Sequence, residues 1–501
     1  MRGIPSLITD IRKKVFTEVA RMAYSGEGYG AAEELPYIIV PGDQPLHRES
    51  VFLERAIASE RVRLAMGLNL RPIQTRHLMT EGMDHAAIAE QYYEPPLINI
   101  IPYACHACPT NQYRVTENCQ NCLAASCQKV CPRGAISFVN GKSCIDQEKC
   151  IKCGKCATAC PYNAIIHMER PCQAACGMDA IGADEHGRAV INQDKCVSCG
   201  QCLVSCPFGA IADKGQIYQL IQSILKGDQV IAIVAPAFIG QFGKHSTPEK
   251  FISAMKVLGF DRVVEVAVGA DMCTIEEAKD FMEKVPAEQP FMATSCCPAW
   301  HSMVHKLFPA QSKNISMTLT PMVFTARLMK KKFPGCKVVF VGPCAAKKLE
   351  AIRADIRSDV DFVLTFEELQ GMFEAKEVNF ETIEPSETLN EGTAAGRGFA
   401  VSGGVAQAVT DLIHQTNPDL EVKTARAEGL RECRKLMTLA KVGKYNGYLL
   451  EGMACPGGCV AGAGTLLPVD LAAKVVSKYQ DEADQTSPLE SLYRDEGHRL
   501  D

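Results

Sequence analysis

Between residues 131 and 211 a cysteine is followed four times, four positions on, by Ala-Ile: CPRGAI at 131, CPYNAI at 160, CGMDAI at 176 and CPFGAI at 206. No other feature restricts the fold as much, because a short repeat centred on a sulfur ligand builds strands and turns around bound clusters. The chain has 25 cysteines; none precedes Cys105, seventeen lie between Cys105 and Cys206, and eight follow. The N-terminal MRGIPSLITDIRKKVF lacks the apolar core and cleavage site of an export signal, so a cytoplasmic location is expected. In that setting metal binding explains such crowding better than disulfides do.

The spacing names the metal. Cys150-x2-Cys153-x2-Cys156-x3-Cys160-Pro and Cys196-x2-Cys199-x2-Cys202-x3-Cys206-Pro both match the bacterial ferredoxin run, and Cys119-x2-Cys122-x4-Cys127-x3-Cys131-Pro is a lengthened variant. In such runs three thiolates wrap one [4Fe-4S] cube and the fourth, before proline, reaches the neighbouring cluster. Exchange then gives Cys119, Cys122 and Cys127 with Cys160, and Cys150, Cys153 and Cys156 with Cys131. By the same logic Cys196, Cys199 and Cys202 borrow Cys176. Cys105, Cys108, Cys172 and Cys206 remain to close a further cluster, and Cys144 is left over. Zinc is the competing reading of paired CxxC motifs, but the repeated run with its trailing Ala-Ile is far more specific. Three, and with the last set four, accessory clusters imply single electrons moving through the protein.

Three regions are expected: a mainly helical, cysteine-free 1–100, a ferredoxin-like multi-cluster region at 101–215, and an α/β domain at 216–501. SLITDIRKKVFTEVARMAY and SVFLERAIASERVRLAMG have helical periodicity, whereas VIAIVAPAF, CKVVFVGPC and DFVLTF read as buried parallel strands with helices between them. The fold class is therefore α+β ferredoxin-like domains followed by an α/β domain. A net charge of -5 argues against a nucleic-acid partner, and no apolar run is long enough for a membrane span.

Five of the later cysteines stand in unusual surroundings: Cys296 and Cys297 in TSCCPAW, Cys344 in VGPCAAKKLE, and Cys455 and Cys459 in EGMACPGGCVAGAG. Read from the residues alone, Cys297 or Cys296, then Cys344, then the CxxxC pair supply the four thiolates of a cubane.

These motifs resemble the signatures of the iron-only ([FeFe]) hydrogenases, over about residues 217 to 465. The resemblance implies an H-cluster, in which a cubane is bridged through cysteine to a two-iron unit carrying carbonyl, cyanide and azadithiolate ligands. It implies that Cys297, Cys344, Cys455 and Cys459 hold the cubane, with Cys459 bridging. Lys347 would hydrogen-bond a cyanide, and Met453 would pack beside the cluster. It leaves Cys296 to move protons, continued outward by Glu277, Ser316, Asp280 and Lys284; Glu277, Asp280 and Lys284 fall at i, i+3 and i+7 on one helical face. Taken alone, that face reads as solvated charge. Glu350 matches a family acid, although a surface salt bridge would explain it equally well. Gly403-Gly404-Val405 is expected as a tight turn near the cluster, and Cys273, Cys336 and Cys433 as ordinary buried thiols.

The implied activity is reversible reduction of protons to hydrogen, with a ferredoxin as electron partner and dedicated maturation proteins inserting the two-iron unit. Gly342 before the PC of the second motif, Ala299 in the first and GAGTL closing the third depart from the familiar pattern and resemble a less-studied monomeric branch. The alternative is a hydrogenase-like iron-sulfur protein acting in cluster assembly or hydrogen sensing. An assembly protein would need the cubane cysteines but no free thiol, Lys347 or acidic ladder.

Overall fold

The computed structural model describes residues 3–86, 94–497 and 500. Positions 1–2 and 87–93 of the expected N-terminal region, and 498, 499 and 501 of the C-terminal one, lie outside the described residues. The cysteine-rich stretch folds as two copies of one small unit, one nested inside the other. In the outer copy β1 (Ile98–Ile100) pairs antiparallel with β8 (Ile211–Asp213), enclosing a hairpin of β6 (Ile181–Ala183) and β7 (Ala189–Ile191). In the inner copy β2 (Gln112–Val115) pairs antiparallel with β5 (Ile165–Met168), enclosing the hairpin of β3 (Ile136–Val139) and β4 (Lys142–Ile145). The whole inner unit is inserted between Cys108 and Cys172.

The Ala-Ile repeat has a physical cause. Each isoleucine, Ile136, Ile165, Ile181 and Ile211, begins a strand and is buried. Each alanine N–H donates to the sulfur of the cysteine four residues back, Ala135 to Cys131, Ala164 to Cys160, Ala180 to Cys176 and Ala210 to Cys206, at 3.3–3.4 Å. The residue before each alanine, Gly134, Asn163, Asp179 or Gly209, has a left-handed φ of 48–58°, which glycine, asparagine and aspartate tolerate best.

The C-terminal domain is α/β. Its main sheet is parallel, in the order β10 (Arg262–Glu265), β9 (Val230–Val234), β12 (Lys337–Gly342), β13 (Phe362–Thr365). A second parallel sheet has the order β11 (Met292–Ala293), β15 (Tyr448–Met453), β14 (Lys423–Glu428). Every residue of β9 is buried, as expected of a strand covered on both faces. The three cysteine motifs leave the carboxyl ends of β11, β12 and β15, where open α/β sheets place their sites.

The N-terminal helix Leu7–Ser25 packs into the apolar core that also contains Val230, Val341 and Phe366. A buried ion network joins the three regions. Lys348 Nζ, fully enclosed, donates to Asp213 Oδ2 (2.7 Å), Glu368 Oε1 (3.0 Å) and the Lys214 carbonyl (2.7 Å), while Arg12 reaches Asp213 Oδ1 (3.3 Å) and Glu367. Among the described residues no helix is long and apolar enough to cross a membrane.

Candidate functional site

Three sets of four accessory thiols lie together, and Cys119 and Cys127 form a further pair. Cys131, Cys150, Cys153 and Cys156 line one small cavity, and Cys105, Cys108, Cys172 and Cys206 line another. Cys176, Cys196, Cys199 and Cys202 interact electrostatically with one another. Cys119 and Cys127 meet at Ser143, whose N–H lies 3.5 Å from Cys119 Sγ and whose hydroxyl lies 3.6 Å from Cys127 Sγ. Cys127 and Cys160 belong to a small apolar cluster with Ile136 and Ile165 that also takes in Cys131, Cys150 and Cys156.

Nesting explains the set that looked scattered in the sequence: Cys105-x2-Cys108, interrupted by the inner unit, resumes at Cys172-x3-Cys176. The backbone agrees, since the second residue after the leading cysteine, Ala107, Asn121, Lys152 or Ser198, takes the same left-handed turn in the first CxxC pair of all four runs (φ 47–59°). Among the described residues no three His, Cys, Asp or Glu side chains converge on one ion. Each of the two small cavities is lined by four thiols, the ligand number of a cysteine-held four-iron cubane. Cys144 is exposed on β4.

Cys297, Cys344 and Cys459 come together from three loops: Cys297 raises the pKa of Cys344, and both raise that of Cys459. Burial is the main cause, taking Cys344 to about 11 and Cys459 to about 12. Cys297 sits at the N-cap of the helix Pro298–Leu307. Backbone N–H groups of Ala454, Trp300 and Ala299 oppose that burial penalty and favour its thiolate. Cys455 Sγ accepts from Gln201 Nε2 at 3.2 Å, and Cys297 is among the groups acting on Cys199. The Cys176/Cys196/Cys199/Cys202 set therefore abuts this site.

Close backbone approach shapes the cradle. A Cβ on Gly462 would lie 2.3 Å from the Pro343 carbonyl, and one on Gly452 would lie 2.2 Å from the Trp300 ring. These two glycines lock the third motif onto the second and the first.

Cys296 lies beside Cys297 but in a different environment. Its thiol is pushed well above its ordinary range, first by burial and then by Glu277 and Cys297, so it stays protonated. Glu277 does not lie on a solvated face, the reading of this helix taken alone: the residue is fully buried on the helix Ala267–Lys284. Its Oε1 accepts from the Ser295 N–H (3.1 Å) and hydroxyl (3.3 Å), whereas Oε2 is buried without a partner among the described residues. Burial raises its pKa from 4.5 to about 7 against opposing contributions from Ser295 and the Ser316 hydroxyl. One turn on, Asp280 pairs with Lys284 at 2.9 Å with both side chains partly exposed, so the face runs from interior to surface.

Lys347 Nζ donates to Glu350 Oε2 (2.6 Å), Thr320 Oγ1 (3.2 Å) and, at 3.5 Å, the Cys296 carbonyl. Thr320 completes the loop by donating to Glu350 Oε1 at 2.6 Å. Glu350 is thus a buried partner of Lys347, and the surface salt bridge entertained from sequence is corrected. Met453 is buried in the cluster of apolar side chains that Cys296 and Cys297 join.

Gly403, at φ 91°, caps the helix Gly404–Thr416. Its N–H and that of Ala406 are held by Glu451 (2.6 and 2.8 Å), a buried acid whose charge also reaches Cys296 and Cys459. Sequence reading passed over Glu451; its position two residues before Met453 on a strand of otherwise apolar and glycine residues was the available signal. Cys273, Cys336 and Cys433 are buried thiols.

Comparison with known proteins agrees with this geometry. Residues 228–463 match the family described as iron only hydrogenase large subunit, C-terminal domain, and residues 145–165 and 189–212 match 4Fe-4S binding domains. Iron hydrogenase 1 of Clostridium pasteurianum is 29% identical over 428 residues, 74% of this chain and 73% of that protein. The periplasmic [Fe] hydrogenase large subunit of Nitratidesulfovibrio vulgaris is 27% identical over 44% of this chain and 62% of its own length, less than two thirds of that relative. A cytosolic Fe-S cluster assembly factor of Danio rerio is 26% identical over 51% of this chain and 72% of its own.

Proposed function

The chain is an iron-only hydrogenase-like protein with 4Fe-4S binding domains, and from that premise we propose that it catalyses reversible reduction of protons to hydrogen, with electrons relayed through its [4Fe-4S] clusters from an external ferredoxin. Cys297, Cys344, Cys455 and Cys459 would hold the H-cluster cubane. The converging buried thiols and the glycine cradle around them fit that group. When bound, it supplies the redox centre at which two protons and two electrons combine.

The residues of the chain supply protons, charge and exclusion of water. Cys296 holds a proton on Sγ, and Glu277 is the next acceptor, with no partner for Oε2 among the described residues and a pKa of about 7. A base poised near the working pH transfers protons in both directions. Ser316, Asp280 and Lys284 continue the path outward. Lys347, kept cationic by Glu350 despite burial, places a positive charge beside Cys344 and Cys296, where an anionic ligand is stabilised. At pH 7 the proton couple lies at about -0.41 V, from roughly 59 mV per pH unit, within the range of about -0.7 to +0.45 V open to cysteine-ligated clusters.

The observation that carries the reading is the pair Cys296 and Glu277: a half-buried thiol whose charge state is set by a fully buried carboxyl, one oxygen of which has no partner among the described residues. The test is infrared spectroscopy of the matured protein, which should show carbonyl and cyanide stretching bands together with hydrogen turnover; a matured preparation without either would overturn it. The Danio rerio relative favours a second reading, cluster assembly, in which the cubane thiols are kept and neither signal develops.

A further inference from the structure

The N-terminal region has no cysteine, yet two of its arginines grip the turn that presents one. Arg61, on the helix Val51–Ala65, is 7% exposed, and its Nη2 donates to the Gly209 carbonyl at 2.8 Å. Arg48, half-buried in the segment before that helix, donates to the adjacent Phe208 carbonyl at 2.7 Å. Neither guanidinium forms an ion pair with a carboxylate among the described residues, and Arg61 Nε is buried there without a hydrogen-bond partner. Burial first, then Arg12 and Arg48, lower the pKa of Arg61 to about 10, while Cys206 raises it. The guanidinium therefore stays charged at neutral pH, and a charge left unpaired at such depth is strongly unfavourable.

The carbonyl that Arg61 holds belongs to the same peptide unit as the Ala210 N–H, which donates to Cys206 Sγ at 3.4 Å. Guanidinium, peptide and sulfur thus form one chain of hydrogen bonds, in which each donor polarises the next. The three equivalent turns are built differently. Ala135, Ala164 and Ala180 donate to their cysteines in the same way, but no side chain takes the carbonyl of Gly134, Asn163 or Asp179 among the described residues. At the Cys176 turn Arg434 takes the Gly177 carbonyl instead, and pairs with Asp179 at 2.5 Å. The Cys206 turn is also shaped for the approach: a Cβ on Gly209 would meet Arg61 Nη2 at 2.9 Å and Ile8 at 3.0 Å, whereas one on Gly134 would meet nothing within 4 Å.

A cubane held by four thiolates is anionic, and its potential follows its charge, its surroundings and the hydrogen bonds to its sulfurs. We propose that Arg61 and Arg48 are the counter-charge of the cluster that Cys105, Cys108, Cys172 and Cys206 would hold, and that they raise its reduction potential, so that an electron is held in the outer unit beside the Cys176/Cys196/Cys199/Cys202 set. One-electron reduction adds one negative charge next to the fixed guanidinium of Arg61. The electron comes from the external carrier, and no atom or proton moves. The proposal rests on the cluster reading above and not on hydrogen chemistry, so its test needs no two-iron unit.

The test is an equilibrium redox titration of the full chain with its accessory clusters in place, followed by paramagnetic resonance, with dithionite as the electron source. The signal missing from Cys172→Ala identifies the cluster; if that variant loses no signal, the cluster set is wrong and the proposal falls with it. Arg61→Met should lower the midpoint of that signal so that, at a fixed potential, its reduced-to-oxidised ratio falls about tenfold, equivalent to about 59 mV for one electron. The other signals should stay in place. Arg61→Lys keeps the charge and should restore most of the ratio, which a purely structural arginine gives no reason to expect. Arg48→Gln keeps a donor for the Phe208 carbonyl and loses the charge, and should move the same signal in the same direction by about threefold in ratio. An unmoved midpoint in Arg61→Met overturns the proposal, as does one in Arg48→Gln, the deciding arm if Arg61→Met does not retain its clusters. An equal shift of every signal, or an equal shift in Arg61→Met and Arg61→Lys, overturns it as well.

Discussion

Glu277→Gln separates the proton path from the scaffold, because the carboxyl pays opposite dues to stability and to function. Its pKa is 4.5 when exposed and about 7 in the fold, a difference equivalent to about 3 kcal/mol. In the unfolded chain the group ionises near 4.5; in the fold it keeps its proton until about 7. The folded state therefore binds more protons in that window, and stability falls as pH rises from about 4.5 to 7, then levels. Glutamine has no proton to lose, so this dependence should vanish, and the variant should gain about 3 kcal/mol on the wild type between pH 4.5 and pH 8. The absolute offset is smaller at low pH, since the new amide N–H faces the spot where Oε2 has no partner. The assay is the apparent melting temperature of cluster-loaded protein at a fixed scan rate, where the variant should rise relative to wild type by several degrees across that pH range. Hydrogen turnover should fall by about 10²–10⁴-fold. Matching pH dependence of melting in the two proteins would refute a protonated, buried Glu277, and retained turnover with an intact active centre would refute its place in the path.

Cys296→Ala should keep the iron content and the carbonyl and cyanide bands while losing turnover by about 10²–10⁴-fold; loss of the cubane instead would make Cys296 a ligand. Glu350→Gln strips Lys347 of its buried counter-charge, and should destabilise the protein by about 3–5 kcal/mol, read as a lower melting temperature that Glu350→Asp partly restores. Cys172→Ala should remove one cluster's iron while the two clusters of the inner unit keep their paramagnetic resonance signals; loss of signal from the inner unit would contradict the nested arrangement.

The parts legible in the sequence are those fixed by local spacing. The CxxC runs, the Ala-Ile repeat and the motif at the end of each parallel strand are short-range patterns, and β9, β12 and β13 show through as apolar runs. What stayed hidden depends on long-range contact. The nesting was invisible because the whole inner unit separates Cys108 from Cys172, although the C-x3-C spacing of Cys172 and Cys176 carried its trace. The second sheet escaped because β11 is two residues long and β14 reads as the polar KTARAE. Lys348 looks like an ordinary surface charge beside Lys347, yet it is enclosed between Asp213 and Glu368. Nothing local announces that a strand end from the cluster region will meet it. Glu350 was better marked: it lies three residues after Lys347, the spacing that pairs charges on a helix.

The two cysteines of TSCCPAW bear on the choice between the proposed hydrogenase and a cluster scaffold. Cys297 has the surroundings of a ligand, with helix N-terminal N–H groups favouring its thiolate and Cys344 and Cys459 around it. Cys296, one residue earlier, has its thiol raised by Glu277 after burial, and its carbonyl accepts from Lys347 at 3.5 Å. A scaffold that only retains a cubane gains nothing from the second arrangement. It would instead bear a buried carboxyl with an unsatisfied oxygen, which destabilises the fold at neutral pH and which a simple apolar residue would relieve. That penalty makes sense where a proton must be received at Oε2 and passed on. The same reasoning applies to Lys347: its charge is stabilised inside the protein by Glu350 and Thr320, and the weak 3.5 Å contact to the Cys296 carbonyl leaves its third donor the easiest to redirect toward a ligand. An Oε2 without a partner among the described residues, a protonated thiol and a redirectable ammonium all border the same cluster of thiols, and the proposed proton chemistry at that cluster would use the three together.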